Sequence, residues 1–242
     1  MKRLSTNIIL FFLWSQILSC AETQSKKDQI SAKQISGTTG KLIPIDFDDS
    51  NYVHADLNAM DTITTDGWSI KYLVMDDNTR YNDIYIQWQK GNRKGTFHGR
   101  DILRMRSHFI PMLAGENKTH IFLKYACATS CSALLTLSKD SIPKDQEFFF
   151  VINYNIKTGQ VVYIPESGYN LDTLKVSVFD LTKRRQKYIE FKNICNSTFE
   201  VNCIDSVYFN KDYVKLFATL IDREDSNRTR NITENHTVRL NK

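Results

Sequence analysis

The sequence predicts a mainly β protein, an antiparallel β-sandwich or irregular barrel with little helix. The first observation is that apolar and polar residues alternate along segments 83–89, 120–126, 148–154 and 214–220, which is typical of half-buried strands. The second is that short turn-like breaks separate neighbouring segments, which favours hairpins and antiparallel pairing. A third is that no repeat of constant length is present, so the sequence does not indicate a propeller.

The elements follow from these patterns in chain order. The predicted apolar faces are formed by Ile84, Ile86 and Trp88, by Ile121, Leu123 and Tyr125, by Phe148, Phe150, Ile152 and Tyr154, and by Val214, Leu216, Ala218 and Leu220. We expect turns at 157–160, between strands 148–156 and 161–164, and at 210–212, before strand 213–221. Residues 101–108 are the one segment that favours a helix, because Asp101 can cap it.

The N-terminus carries the pattern of an export signal. Lys2 and Arg3 precede an apolar run over 8–18 that is too short to span a bilayer stably. Ile17-Leu18-Ser19-Cys20 follows this run and resembles the lipobox of bacterial lipoproteins. The resemblance implies cleavage before Cys20, acylation of that residue with fatty acids such as palmitate, and anchorage through the acyl chains. An ordinary secretory signal with a chance cysteine is the alternative.

The predicted organisation has three parts. Residues 1–19 form the signal peptide, 20–41 a flexible tether with almost nothing to bury, and 42–242 a single β domain. Loss of residues 1–19 lowers the basic count from 32 to 30 against 27 acidic residues, so the formal charge falls from +5 to +3. This small charge argues against a nucleic-acid partner. We expect the protein in the bacterial cell envelope, anchored by lipid, with the outer membrane favoured and the face of the membrane left open.

Four cysteines follow the lipobox: Cys127, Cys131, Cys195 and Cys203. In an oxidising compartment they predict two disulfides, with three possible connectivities. Cys195 and Cys203 are spaced so that a bridge would close one short loop. Cys127 and Cys131 pair only if residues 128–130 turn, because extended strand would place their Cα atoms roughly 13 Å apart, beyond the ~7 Å that a bridge tolerates.

The segment Cys127-Ala-Thr-Ser-Cys131 has two further resemblances. It is similar to the Cys-x-x-x-Cys site of copper-delivery proteins of the thioredoxin fold, which implies a thiol-redox or copper role. That family has proline where this chain has Ser132, and its βαβ pattern is missing here. Residues 121–163 also resemble a segment of uncharacterised exported bacterial proteins, with Ala128 in place of the usual glycine. This second likeness implies a strand, a cysteine turn and a hairpin, and no activity.

The sequence contains no recognisable catalytic motif, metal-ligand spacing or cofactor loop. There is no Gly-x-Ser-x-Gly, His-Glu-x-x-His or glycine-rich phosphate motif. The acidic run at 46–49 lacks the glycine and distal glutamate of a calcium loop. Glu166 and Asp172 flank a predicted loop and are the candidates for paired acid–base work. The sequence therefore favours binding over catalysis, with a hydrolase of envelope polymers as the alternative.

Two basic clusters are candidates for contact with an anionic partner. One is the predicted hairpin tip formed by Lys183, Arg184, Arg185 and Lys187, and the other is formed by Arg100, Arg104, Arg106 and His108. A basic tip on a tethered protein suits contact with anionic lipid or an acidic glycan. A solvated turn that protects a sheet edge is the alternative. The sequence thus predicts a non-catalytic binding or assembly-support domain, whose partners are the membrane, through the anchor, and an envelope protein or acidic glycan.

Overall fold

A computed structural model describes residues 40–45, 61–76, 83–99, 109–140, 145–165, 174–225, 227 and 229–240. All of them belong to one compact unit that begins at Thr39. The signal peptide, Cys20, nearly all of the predicted tether and the helical segment 101–108 lie outside the described residues. Within the part of the chain that is described, no helix has the length and apolarity needed to cross a bilayer.

Antiparallel strands form four sheets. The first contains β1 (Lys41–Pro44), β2 (Thr62–Ile63), β3 (Ser69–Asp76), β4 (Ile84–Lys90) and β5 (Arg93–Gly99), in the order β1-β3-β4-β5 with β2 also on β3. The second contains β6 (Met112–Glu116), β7 (His120–Ala128), β8 (Cys131–Ser138) and β9 (Gln146–Phe148), in chain order.

The third sheet contains β10 (Val151–Asn155), β11 (Gln160–Tyr163), β12 (Lys175–Asp180) and β13 (Arg185–Glu190). The fourth contains β14 (Ile204–Phe209), β15 (Tyr213–Ile221) and β16 (Asn231–Arg239), and a 3₁₀ turn over Glu200–Cys203 precedes it. The mainly β, antiparallel prediction is confirmed. None of the described sheets closes into a barrel.

The four sheets stack face to face in chain order. Ile86 and Trp88 of the first sheet share a buried cluster with Leu123 of the second. On the other face of the second sheet, Phe122 packs in a cluster with Val161 of the third sheet. The two inner sheets therefore bury apolar side chains on both faces. Meanders that stack in chain order also occur in β-propellers, although this chain has no repeat of constant length.

The third and fourth sheets complete the stack. Val176 and Val178 of β12 belong to one buried cluster with Val214 and Leu216 of β15. The alternation predicted for 214–220 is confirmed, since every second residue of this segment is buried. The predicted turns at 157–160 and 210–212 also lie where expected, between β10 and β11 and between β14 and β15.

One predicted strand is wrong. Segment 148–156 was expected to be continuous, but Phe148 ends β9 in the second sheet and Val151 begins β10 in the third. The break falls at Phe150, whose backbone is left-handed, with φ of 52°. Because a left-handed residue changes the direction of the chain, this apolar segment passes from the second sheet to the third at Phe150.

The contact between the first two sheets depends on a close approach at Gly95. This residue lies opposite Trp88 in the β4–β5 register. A Cβ at Gly95 would fall 2.1 Å from the Trp88 ring, so only glycine leaves room for it. The indole Nε1 donates a hydrogen bond of 2.8 Å to the Ser138 carbonyl oxygen at the end of β8. Trp88 thereby anchors the first sheet to the second.

Candidate functional site: the turn end

Hairpin turns from all four sheets meet at one end of the described unit, which we call the turn end. It comprises the turns at 64–67, 90–93, 117–119, 155–159, 181–184 and 210–212. Hydrogen bonds join neighbouring sheets there: Arg93 to the Lys139 carbonyl at 3.2 Å, Asn117 to the Ile156 carbonyl at 2.7 Å, and Gln160 to the Asn210 carbonyl at 3.0 Å. The turn end is therefore one continuous surface.

A buried lysine ties the first sheet to the second at the turn end. Lys139 follows β8 and is 3% exposed. Its Nζ lies 2.6 Å from the Glu116 carboxylate and 2.7 Å from that of Asp66, and it donates to the Asn117 carbonyl at 2.6 Å. One buried lysine therefore holds two carboxylates at the turn end.

The two carboxylates of this cluster are held ionised. Burial alone would raise the pKa of Glu116, but hydrogen bonds from Lys139 and from the Asp66 N–H outweigh burial and hold that pKa below its usual value. The hydrogen bond and charge of Lys139 lower the pKa of Asp66 as well. A carboxylate with a lowered pKa is a poor proton donor or acceptor near neutral pH. The cluster is thus better suited to fixing the turns than to acid–base catalysis.

Exposed cations remain on the turns of the other sheets. Lys118, Lys157 and Lys211 are exposed in the turns of the second, third and fourth sheets. In the first sheet, the Arg93 guanidinium lies 5.1 Å from the centre of the Trp68 ring, which fixes its position. Positive charge is therefore spread over the whole turn end rather than gathered on one hairpin.

The predicted basic tip contributes two residues to the turn end. Asp180 accepts a hydrogen bond of 2.9 Å from the Lys183 N–H, and its carboxylate lies 3.9 Å from Lys183 Nζ. Arg184 follows in a left-handed conformation, with φ of 54°. Burial is the main cause that lowers the pKa of His120, and the nearby positive charge of Arg184 adds to it. Arg184 is exposed, so it adds a cation to the surface of the turn end.

The other two residues of the predicted tip belong to a strand. Arg185 and Lys187 lie in β13, an edge strand of the third sheet. Lys187 lines an open cleft of about 370 Å³ between β13 and β16, together with Tyr188, His236 and Arg239. The structure therefore divides the predicted tip between the turn end and this edge. The placement of Arg185 and Lys187 fits the alternative interpretation, in which charged residues protect an edge.

The four cysteines pair locally at the opposite end of the unit. Cys127 bonds to Cys131 with a Cα–Cα distance of 5.1 Å, and Cys195 bonds to Cys203 with 5.8 Å. The turn required at 128–130 is present, with Ser130 at φ of 56°. A second cleft, of about 490 Å³, lies between this turn and the start of the fourth sheet at Ile204. In this form none of the four cysteines carries a free thiolate.

Two acid groups of the second sheet, Asp145 and Glu147, have raised pKa values. Burial raises the pKa of Asp145 to about 7, and its Oδ1 has no hydrogen-bond partner among the described residues. The Tyr125 hydroxyl donates to the Glu147 carboxylate. Neither Asp145 nor Glu147 lines either of the two clefts above. Among the described residues, no group of three or more His, Cys, Asp and Glu side chains is placed to hold a metal ion.

Several sequence candidates lie outside the described residues. They are Cys20, Glu166, Asp172, the acidic run at 46–49 and the basic cluster at 100–108. Sequence reasoning in turn missed the Lys139 cluster, for which the available signal was a lysine two residues after the mainly apolar segment 133–137. Comparison with known protein families, curated proteins and solved structures found no match.

Proposed function

We propose that the protein is a bacterial cell-envelope lipoprotein whose β domain binds an acidic glycan at the turn end without catalysing a reaction. The observation that carries this proposal is the distribution of exposed cations over turns that hydrogen bonds join into one surface. The residues 17–20 support the lipid anchor, because they resemble a lipobox.

The charge balance of the turn end supports an anionic ligand. Asp66 and Glu116 are paired with buried Lys139, and Asp180 lies near Lys183. Lys139, Lys90 and Lys183 therefore offset these three carboxylates, and Asp212, beside Lys211, is the remaining acid of the turns. Lys118, Lys157, Arg184 and Lys211 stand exposed on three neighbouring sheets. An extended polyanion can contact several such cations at once, and each contact is weak and screened by salt.

The predicted tether suits this role. Because β1 begins at Lys41, 21 residues, 20–40, separate the predicted anchor from the first strand. A flexible chain of this length has an end-to-end distance of roughly 25 Å, from about 5–6 Å times the square root of the residue number. The domain could then sample polymer close to the membrane while the anchor keeps it in place. A tethered binding domain needs no tight single contact to remain near its ligand.

The two alternatives have less support. A copper or thiol-exchange role requires free thiolates, and all four cysteines of the domain are bonded in pairs. An envelope-polymer hydrolase requires acid and base groups that converge on a cleft. Asp145, whose pKa burial raises to about 7, does not line either cleft described above.

A pair of variants with equal charge tests the proposal. The turn-end variant carries Lys118→Ser, Lys157→Ser, Lys211→Ser and Arg184→Asn, since asparagine tolerates the left-handed backbone. The control variant carries Lys71→Ser, Lys124→Ser, Lys175→Ser and Lys192→Ser, all at exposed positions elsewhere. The full chain in detergent is titrated with polygalacturonate, an acidic glycan, and with neutral dextran.

We expect polygalacturonate to bind the wild type and the control alike, and to bind the turn-end variant about tenfold more weakly. A higher salt concentration should also weaken the binding of polygalacturonate to the wild type. Dextran should not bind. Equal binding by both variants would remove the turn end from the proposal, and cleavage of the polymer by the pure protein would overturn the non-catalytic assignment.

A further inference from the structure

Strand β16 differs from the other sheet edges of the described residues. An edge strand exposes unpaired N–H and C=O groups, and natural proteins usually protect it with short length, proline, basic side chains or a bulge. Such features occur on the other edges: Pro44 in β1, the basic pair Arg93 and Lys94 in β5, register shifts in β6, β10 and β14, the three-residue length of β9, and Arg185 with Lys187 in β13.

Of these features β16 has only one, the basic residue Arg239 at its last position. The strand is nine residues long, Asn231–Arg239, and contains no proline, glycine or lysine. Its pairing with β15 is regular over the whole length, without a register shift. Among the described strands, no partner pairs with its other side. A long and regular edge without proline or a bulge is a template for pairing with another strand.

The backbone shows which groups are available on this edge. The Leu240 N–H donates to the Asp212 carbonyl at 2.9 Å, which continues the β15–β16 ladder by one residue pair. Because hydrogen-bonded pairs alternate in an antiparallel ladder, even-numbered residues of β16 bond to β15. The N–H and C=O groups of Thr233, Asn235 and Thr237 therefore point to the free edge.

We propose that β16 pairs antiparallel with β16 of a second copy of this chain, about a twofold axis at Asn235. In this register all nine residues of the strand find a partner. Thr233 faces Thr237, Ile232 faces Val238, and Glu234 faces His236 of the second copy. The cross-strand neighbours are thus alike in polarity or can pair as carboxylate and imidazole, which stabilises an antiparallel pair.

Neighbouring registers are less favourable. A shift by two residues in one direction places Glu234 opposite Glu234 of the second copy, and a shift in the other direction places Glu234 opposite Val238. Like charges directly opposite each other destabilise a strand pair. Within one chain, His236 Nε2 already lies 2.7 Å from the Glu234 carboxylate. In the proposed register each carboxylate therefore lies between two imidazoles, and like charges stay apart.

The surroundings leave this edge accessible within the described residues. The cleft beside β16 is open at Tyr188 of β13, whose side chain is 63% exposed. Pairing would join two fourth sheets into one six-stranded sheet with closed symmetry, the commonest arrangement of homodimers. Because the two copies of β16 run in opposite directions, their turn ends would face away from each other and stay uncovered.

A cysteine at the proposed axis tests the contact directly. In a hydrogen-bonded antiparallel pair the two Asn235 Cα atoms would be about 5.5 Å apart, within the range of a disulfide. The full chain with Asn235→Cys should therefore form a covalent dimer under mild oxidation, seen on a non-reducing gel. The control is Thr219→Cys, which is exposed on β15 of the same sheet and should stay monomeric. Equal cross-linking of both variants, or of neither, would overturn the proposal.

A proline at the same position tests the backbone contact. Asn235→Pro removes the N–H that points to the free edge and leaves the bonds to β15 intact, whereas Asn235→Ser removes the amide side chain alone. We expect two copies per particle for the wild type and Asn235→Ser, and one copy for Asn235→Pro, by sedimentation of the full chain in detergent. Three results would contradict the proposal. They are a wild type that is monomeric at tens of micromolar, a proline variant that is dimeric, and a different polypeptide bound to β16. If the proline variant does not fold, the cross-linking result decides.

Discussion

Lys139 and Glu116 form an ion pair with a nitrogen–oxygen distance of 2.6 Å, in which both side chains are nearly buried, at 4% and 9% exposure. Glu116 ends β6 and Lys139 follows β8, the two strands that flank β7 in the second sheet, and Asp66 of the first sheet completes the cluster. Burying such a pair costs solvation, and the attraction between the charges offsets that cost only while both partners are present. The pair therefore fixes the position of the turns more than it adds net stability.

Removal of one partner of this ion pair should lower the free energy of unfolding strongly. We expect Lys139→Met to lower the free energy of unfolding by about 3 kcal/mol, because the buried Glu116 carboxylate loses its counter-charge. Adding Glu116→Gln should restore part of this loss, since the amide carries no charge. Urea unfolding measures both values, and Lys118→Met, an exposed lysine two residues from Glu116, serves as the control with a change below about 0.5 kcal/mol. A loss for Lys139→Met no larger than for this control would refute the buried pair.

Asp145 should make stability depend on pH. Burial raises its pKa to about 7 in the folded protein, whereas an unfolded aspartate ionises near pH 4. The folded state thus holds a proton that the unfolded state has released. The contribution of Asp145 to the free energy of unfolding is fully present below about pH 4 and is lost as the pH rises through about 7.

The variant Asp145→Asn removes this loss. We compare the free energy of unfolding of the variant minus that of the wild type at pH 4 and at pH 8. This difference should be larger at pH 8 by at least about 1 kcal/mol, since one pKa unit corresponds to about 1.4 kcal/mol. Unfolding by urea at several pH values gives the difference. Asp140→Asn, at an exposed position nearby, should show no such trend. A difference that does not vary with pH would show that Asp145 is not protonated in the folded state.

The disulfides should contribute separately to stability. The loop closed by Cys195 and Cys203 contains nine residues, and the one closed by Cys127 and Cys131 contains five. Loop-closure entropy gives about 2.6 and about 2 kcal/mol for the two bridges. Replacing each pair by serine and measuring the free energy of unfolding checks these values. Before reduction the domain should not react with a thiol reagent, and any reaction of Cys127 or Cys131 would restore the thiol alternative.

Part of this architecture is predictable from the sequence because it depends on local pattern. The alternation over 214–220 and the turn at 210–212 specify a hairpin whatever lies around it. Segment 148–156 misled the prediction for the same reason. Its alternation continues through Phe150, and nothing in the pattern signals that this residue adopts a left-handed conformation and carries the chain into another sheet.

The candidate site was harder to predict because it depends on distant contacts. Lys139 meets Asp66 across 73 positions of the chain. The expected basic tip had the opposite problem, since its residues are adjacent in sequence but diverge in space. Strand β13 begins at Arg185, so the period of two directs Lys187 along an edge and away from the turn that holds Arg184.

The anchor is the feature on which the assignment to the envelope depends, and Cys20→Ala addresses it first. In the proposed lipoprotein the acyl chains supply the affinity for the membrane, so this variant should remain unprocessed or leave the membrane fraction. Detergent partitioning of the wild type and the variant measures the change. The matched control is Ser31→Ala, an equally small change within the predicted tether. This control should partition like the wild type.

Mass spectrometry of the N-terminal peptide of the mature protein tests the central claim most directly. The account predicts that this peptide begins at Cys20 and carries the added mass of acyl chains. A peptide that begins at another residue, or an unmodified Cys20, would contradict the lipoprotein assignment.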